Sequence, residues 1–324
     1  MHEAAGTKGV REVGAPLFKR PTGGQSSRER RQPHNALHRP VIGLLLALPV
    51  VILLVVVIVL PELWAMVLSL TDYRPGQVIT FVGLDNYTRI LTDPYFHNAL
   101  FNTIKFIFFG VLLQLVFGTG FALLLARGFR FQKLWIALIL APSAMSPAIL
   151  GTTWKYIFNA DFGPLNYALF RLGMEPPYWF TNATFAFVAL MLVYAWNTIP
   201  QTFIFVYPAL ISIPAEYHEA AAIDGASKWQ AFRHITFPLI TPALSIAMVF
   251  RTIVAVRAFG EILVLTSGGP FRSTEVLSIY LYKEGFVYFS WGTAAAVGWV
   301  ILVITMIVAI PQIRLLARQM NEQP

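Results

Sequence analysis

The sequence predicts an all-α integral membrane protein with six transmembrane helices. Of its 324 residues, 56% are hydrophobic and only 12% are charged, whereas a soluble domain carries about 25% charged residues. Six apolar stretches approach or exceed the ~20 residues that a helix needs to cross the hydrocarbon core of a bilayer. The chain contains no cysteine, which excludes disulfides, thiolate nucleophiles and cysteine-based metal sites.

The first 40 residues differ from the rest, because they are polar and basic and show almost no apolar periodicity. Eight of the 24 Lys and Arg lie there. This composition predicts a disordered tail, 1–40, ahead of a membrane domain, 41–320. A cleaved signal peptide would begin its apolar region earlier, so we expect the tail to be retained, to set the topology and to contact anionic lipid.

The six spans follow in order along the membrane domain. They are predicted at about 41–66, 104–126, 134–157, 184–207, 242–266 and 291–313. The third span contains Pro142 and Pro147 and the fourth contains Pro200, and we expect each of these prolines to kink its helix.

Charge places the loops on the two sides of the membrane. An even number of spans puts both termini on one side, together with the 127–133 loop and a long loop at 211–240. That side carries 15 of the Lys and Arg, whereas the three loops on the other side carry 6. The positive-inside rule therefore predicts that both termini and the 211–240 loop are cytoplasmic.

The 211–240 loop carries local signals for two short helices. Pro214 and Glu216 suit the first turn of a helix, where proline loses no hydrogen bond and glutamate faces the positive helix end. Gly225 can take the positive φ that commonly ends a helix. Ser227 and Gln230 then have the spacing of a capping box, which starts a second helix.

The second helix of this loop has an apolar face, because Trp229, Phe232 and Ile235 recur every three residues. Pro238 is predicted to end it. The loop therefore forms a helical hairpin between the fourth and fifth spans. Glu219 and Asp224 offer charge on its first half, and adjacent alanines offer a surface that a partner's groove could approach closely.

This loop resembles the EAA loop of ABC importer permeases. The resemblance rests on Glu219, Ala220, Ala221, Gly225, Ile235 and Pro238. The fuller stretch EAAAIDGASKWQAFRHITFP is similar to the carbohydrate-uptake branch, the maltose and glycerol-phosphate permease-like family, apart from Phe237 where Leu is common. The alternative is an ordinary amphipathic hairpin in a membrane loop.

Other segments extend the resemblance over roughly 41–320, among them FVGLDNY at 81–87, WKYIFN at 154–159 and TSGGP at 266–270. The resemblance implies the type I importer fold. It also implies a second homologous permease, two cytoplasmic ATPase subunits and an extracytoplasmic solute-binding protein as partners.

The resemblance further implies that the loop docks into a cleft of the ATPase. The residues implied for this coupling are Glu219, Ala220, Ala221, Asp224, Gly225, Trp229, Phe232 and Pro238. ATP and Mg would be held by the ATPase, since this chain lacks a G-x-x-x-x-G-K-[ST] phosphate loop. No catalytic motif and no metal-ligand motif occurs, so we expect no cofactor in this chain, and the basic charge does not indicate nucleic acid.

Three charged residues lie within the predicted fifth span: Arg251, Arg257 and Glu261. Such residues usually face a cavity or a partner, because an arginine near the bilayer centre costs roughly 2.5–3.5 kcal/mol. At 100° per residue they share one broad helix face. They either line the translocation pathway and bind sugar hydroxyls or a carboxylate, or Arg257 and Glu261 pair with each other or with the partner permease.

Gln114, Asn197 and Gln201 are further polar residues at span depth. They either contact substrate or form hydrogen bonds between helices, and the second is the better default.

These observations predict a multi-pass inner-membrane permease subunit, not an enzyme, that carries a carbohydrate. The candidates are an oligosaccharide, an acidic sugar, or a related polyol or sugar phosphate. Two cations against one anion on the fifth span slightly favour an acidic sugar. The rival hypothesis is an ion-coupled secondary transporter, but the inverted repeat typical of that class is not visible in the sequence.

Overall fold

The structure is a computed structural model that describes residues 40–128 and 130–321. The predicted disordered tail therefore lies outside the described residues, apart from its last residue. The described residues form helices and one isolated β-bridge, Thr71 to Phe81, without a strand. The chain divides into two units, Met1–Val57 and Ile58–Pro324.

Within the first unit, the structure describes helix α1, Pro40–Leu54. From Leu46 onward its side chains are exposed. A helix that is apolar all round and exposed is typical of a segment surrounded by lipid. A π-helical turn, Val55–Val59, follows in the sequence.

The described part of the second unit contains the remaining α-helices. In chain order they are α2 Leu60–Ser69, α3 Asp85–Thr92, α4 Pro94–Ala126, α5 Gln132–Leu140, α6 Pro147–Ile157, α7 Pro164–Arg171, α8 Ala183–Ile211, α9 Ala215–Ile223, α10 Lys228–Ala231, α11 Phe237–Val256, α12 Gly260–Leu265, α13 Leu277–Tyr282 and α14 Trp291–Asn321.

Five described segments are long and apolar enough to cross a membrane, and a sixth is counted if α5 and α6 form one broken span. The five are Leu46–Ser69, Pro94–Ala126, Ala183–Ile211, Lys228–Val256 and Trp291–Arg318. The all-α fold class is thus confirmed, and six spans are reached if the bent pair counts as one.

The predicted third span is not one straight helix. Its two halves, α5 and α6, meet at 102°. Pro142 lies in a 3₁₀ turn, and Pro147 begins α6 behind Ser146, whose side chain caps that helix. A proline removes a backbone donor and disfavours helical geometry at the preceding residue. Pro142 and Pro147 together therefore break the helix. In contrast, α8 continues unbroken through Pro200.

The helix of the fifth span, predicted at 242–266, ends earlier than expected. The continuous helical segment runs from Lys228 to Val256, with Arg257 as the C-cap residue. The chain breaks at Phe259, whose φ is −144° and ψ is −60°, and α12 follows as a separate short helix. A Cβ at Gly260 would lie 2.7 Å from the Pro147 Cβ. The break therefore lets α12 pack closely on α6.

The core lies where α4, α8 and α11 pack together. Gly118 allows α4 to approach α8, because a Cβ there would lie 2.7 Å from the Thr202 Cβ. The Phe106 and Tyr194 rings pack with centroids 4.5 Å apart. Small residues at such contacts allow close packing between helices in membranes.

Candidate functional site

The 211–240 loop forms the predicted helical hairpin. Helix α9 ends at a Schellman turn, in which Ala226 N–H donates to Ala221 O at 2.9 Å and Gly225 N–H donates to Ala222 O at 3.2 Å. Gly225 has φ +74°, which is costly for residues with a Cβ. Pro214 is the N-cap residue of α9 rather than part of its first turn.

The second half of the hairpin begins with the predicted capping box. Ser227 N–H donates to Gln230 Oε1 at 2.7 Å, and Gln230 N–H donates to Ser227 Oγ at 3.3 Å. These two reciprocal bonds satisfy donors that the start of a helix otherwise leaves free.

Pro238 does not end this helix, contrary to the prediction. A π-helical turn, Phe232–Thr236, joins α10 directly to α11. In it, Phe237 N–H donates to Phe232 O, five residues back. Pro238 then occupies the first turn of α11, where its missing donor is tolerated. The hairpin is therefore continuous with the helix of the fifth span.

The hairpin exposes large apolar side chains beside its charges. Ile223 is 87% exposed, Trp229 is 66% exposed and Tyr217 is 53% exposed. Among the predicted coupling residues, Ala221 is buried, Phe232 is half-buried, and the others are exposed: Glu219, Ala220, Asp224, Gly225, Trp229 and Pro238. Large exposed apolar side chains on a loop between spans are typical of an interaction site.

A buried polar cluster joins three spans. The Arg251 side chain is fully buried and donates to Gln114 Oε1, to Gln201 Oε1 and, at 3.3 Å, to Tyr194 OH. The cluster links α4, α8 and α11. Its arginine is bonded to neutral groups only, and Gln114 Nε2 is buried without a hydrogen-bond partner. A buried cation whose direct hydrogen-bond partners are all neutral is costly, and the Glu261 carboxylate acts on it electrostatically without a direct ion pair in the described structure. Ionisable residues inside spans are commonly functional.

Sequence reasoning missed Tyr194. It lies seven residues before Gln201 on α8, which is about two helical turns, so both side chains lie on one face. This helical spacing from Gln201 was the sequence feature that could have identified Tyr194.

Of the other predicted pathway residues, Asn197 and Arg257 make their contacts elsewhere, whereas Glu261 is close enough to Arg251 and Tyr194 to interact with them electrostatically. Asn197 Nδ2 donates to Pro142 O at 2.7 Å and so ties α8 to the bend of the third span. Arg257 is exposed and borders a cavity of about 450 Å³ with Phe259 and Tyr282. Glu261 lies on α12, and in the described part of the chain no ion pair joins it to Arg257.

Individual residues in or near the segments that extended the resemblance are buried and bonded within the chain. Asn86 Nδ2 donates to Ser69 O and Thr71 O at 2.9 and 2.8 Å. Glu275 is fully buried and forms ion pairs with Arg272, at 3.1 Å, and with Lys283. Sequence reasoning did not single out this carboxylate, because a lone acid in a polar loop carries no pattern.

Comparison with known proteins places this architecture in a family. Residues 26–321 match the family described as binding-protein-dependent transport system inner membrane component. The chain belongs to this family. It is therefore a multi-pass inner-membrane permease subunit of an ABC transporter, a transport component rather than an enzyme.

Two curated relatives illustrate the similarity. The trehalose/maltose transport system permease protein MalF of Thermococcus litoralis is 35% identical over 245 residues, which is 75% of this chain and 82% of the relative. The sulfoquinovosyl glycerol transport system permease protein SmoG of Agrobacterium fabrum is 32% identical over 280 residues, which is 85% of this chain and 90% of the relative.

Solved structures agree on the fold of the permease. A chain of a bacterial ABC transporter involved in the import of the acidic polysaccharide alginate has a TM-score of 0.76 at 20% identity. The match covers 86% of this chain and 96% of that one. The same transporter was also solved in complex with a periplasmic protein bound to an alginate pentasaccharide.

Proposed function

We propose that this permease carries a carbohydrate across the inner membrane and that a separate ATPase subunit drives it by docking on residues 211–240. Relatives named for trehalose/maltose and sulfoquinovosyl glycerol transport support a carbohydrate. The partners in this proposal are a second homologous permease, two ATPase subunits that bind ATP and Mg, and an extracytoplasmic solute-binding protein.

The hairpin carries the proposal. It presents exposed apolar side chains at one end and continues without a break into the helix that holds Arg251. Arg251 follows Trp229 by 22 residue positions, which correspond to about 33 Å at 1.5 Å per residue. A displacement imposed on Trp229 therefore moves a rigid element that ends in the buried polar cluster.

Mechanistically, ATP binding closes the ATPase pair and pushes the hairpin. The push tilts α11 relative to α4 and α8, because the second half of the hairpin, α10, is continuous with α11. The cavity between the two permeases then changes from inward-facing to outward-facing.

The Arg251 cluster is the proposed substrate contact. In the present conformation, hydrogen bonds to Gln114, Gln201 and Tyr194 occupy the guanidinium. When the helices separate, those donors and acceptors become available to sugar hydroxyls or a carboxylate. Arg257, exposed beside aromatic side chains, supplies a second cation, and the two arginines favour an acidic sugar.

Cross-linking tests the docking. The chain has no native cysteine, so Trp229→Cys provides one thiol on the hairpin. We expect it to form a disulfide with cysteines placed around the cleft of the cognate ATPase. Tyr178→Cys is the matched control, since Tyr178 is 67% exposed on a loop predicted to lie outside, and it should not cross-link.

Vesicle uptake tests the class of transporter. Vesicles that contain the permeases and the binding protein should accumulate solute only when the ATPase and ATP are present. Uptake at the full rate without the ATPase would favour the secondary-transporter hypothesis and overturn the proposal.

A further inference from the structure

A groove of about 550 Å³ runs between α4 and α8, and its lining includes no residue of the hairpin or of the buried polar cluster. Lys105 lines it, together with apolar side chains of both helices and Ser273 of the loop after α12. The groove therefore combines one cation, one hydroxyl and an apolar channel.

Lys105 is held at this groove by aromatic rings rather than by an acid. Its Nζ lies 4.9 Å from the ring centroid of Phe101 and 5.2 Å from that of Phe187. Cation–π contacts of this kind fix the position of an ammonium group but do not neutralise it. Among the residues that the structure describes, Lys105 forms no ion pair, so the groove holds an uncompensated positive charge.

Two further features favour an anion at the same place. The Ser273 hydroxyl is buried and has no hydrogen-bond partner in the described structure. Thr184, in the first turn of the 29-residue helix α8, also lines the groove. Asn182 Oδ1 already accepts from the backbone N–H groups of Thr184 and Phe185, so the helix contributes only the partial positive charge of its N-terminus, which favours anions.

The rest of the groove is apolar. From Lys105 to Leu113, α4 rises about 12 Å, which is a large part of one leaflet of a ~30 Å hydrocarbon core. Along this length the groove includes Phe109, 43% exposed, and Leu192, 49% exposed. An apolar channel of this depth that begins at a cation has the two-part chemistry of a phospholipid, which a free phosphate ion lacks.

We propose that this groove binds an anionic phospholipid, with the phosphate at Lys105 and Ser273 and an acyl chain along the channel between α4 and α8. On the predicted topology, Lys105 lies at the extracytoplasmic end of its span, so the lipid comes from the outer leaflet. This site is independent of the substrate and of the ATPase.

Lipid quenching in the assembled transporter tests the site. Because the chain has no native cysteine, Val188→Cys places one fluorophore in the groove. The transporter is placed in nanodiscs that contain phosphatidylglycerol or phosphatidylcholine with brominated acyl chains. We expect brominated phosphatidylglycerol to quench the label at about fivefold lower mole fraction, the preference that one lysine near an anionic lipid provides.

Matched variants assign the preference to the ammonium group. Lys105→Gln should equalise quenching by the two lipids, whereas Lys105→Arg should keep the preference for phosphatidylglycerol. The label control is Val303→Cys on α14, which is 50% exposed outside the groove and should show no preference. Lys155→Gln removes an exposed lysine elsewhere and should leave the preference at Val188 unchanged.

Three results would overturn the proposal. Equal quenching by both lipids in the wild-type background would show that the groove does not select anionic lipid. An unchanged preference in Lys105→Gln would place the selectivity elsewhere. Absence of quenching by either lipid would show that another subunit, such as the second permease, covers the groove.

Discussion

The hairpin at 211–240 and the segment at 266–293 both carry motifs that resemble the permease family, yet their side chains are used in opposite ways. In the hairpin, Trp229 and Glu219 are exposed. In the 266–293 segment, Thr274 is 1% exposed and Glu275 is fully buried in ion pairs. The first motif is therefore free to contact another protein, as proposed above, whereas the second forms contacts within this chain.

The glycines of the two regions show the same contrast. A Cβ at Gly225 would meet nothing within 4 Å, but φ is +74°. A Cβ at Gly292 would lie 1.9 Å from Thr71 O. Gly225 is thus required by the shape of its own turn, and Gly292 by the closeness of another segment. Substitutions in the two regions should consequently fail in different ways.

The largest effect is expected at Gly292. Gly292→Ala forces the start of α14 away from residue 71. The same movement breaks the hydrogen bond from Trp291 N–H to Tyr73 O, which is 3.0 Å long. The destabilisation should exceed the ~1–3 kcal/mol that is usual for overpacking, because the clash is with backbone. We expect little monodisperse protein in detergent. The control is Gly120→Ala, also in a long helix but facing open space, which should purify normally.

The next effect concerns Glu275. Glu275→Ala leaves Arg272 and Lys283 without their shared carboxylate, and breaking a buried ion pair in this way costs about 3–5 kcal/mol. Thermal unfolding in detergent should show a clear drop in Tm. Glu175→Ala, which removes an exposed carboxylate, is the control. A Tm equal to that of the control would show that the segment does not depend on these ion pairs.

Local features of the hairpin were predictable from sequence, whereas features of the spans that depend on tertiary packing were not. The Gly225 turn and the Ser227 capping box depend on neighbours within a few residues, and both occur as predicted. The end of the fifth span at Val256 was missed, because residues 258–265 remain largely apolar and the break depends on packing of Gly260 against Pro147.

The polar cluster was predicted only in part for the same reason. Arg251, Gln114 and Gln201 stand out as polar residues within apolar spans, but which of them meet depends on the register of three helices. Arg257 and Glu261 were expected on one helix face with Arg251, but α11 ends at Val256, so their positions do not follow that helical periodicity. Glu261, on the separate helix α12, nevertheless interacts electrostatically with Arg251.

Gly225→Val should separate folding from transport. The left-handed conformation costs a β-branched residue about 1–2 kcal/mol, so the permease should still fold and assemble. Uptake driven by ATP should be lost, because the angle between α9 and α10 changes. The control is Gly173→Val, which has φ +76° and open space in a loop far from the hairpin in sequence. Wild-type uptake by Gly225→Val would contradict the proposed lever.

The smallest expected effect is on the pH dependence of stability, where a buried carboxylate of the 266–293 segment should differ from an exposed carboxylate of the hairpin. Burial raises the pKa of Glu284, in the 266–293 segment, and the nearby Asp93 carboxylate raises it further. The folded protein then binds more protons than the unfolded chain, so the free energy of unfolding falls as pH rises from the unfolded pKa through the raised folded one. Glu284→Gln cannot ionise and so removes this decrease in the free energy of unfolding. The stability of the variant relative to wild type should therefore increase from acidic to neutral pH.

Thermal unfolding from pH 4 to pH 8 measures this difference. The control is Glu219→Gln, which removes an exposed carboxylate from the hairpin, so the difference between the two profiles isolates the effect of burial. If Glu284→Gln followed the same profile as Glu219→Gln, Glu284 would be solvated in the protein as the hairpin carboxylate is. The difference between the two regions would then be one of packing alone and not of electrostatics.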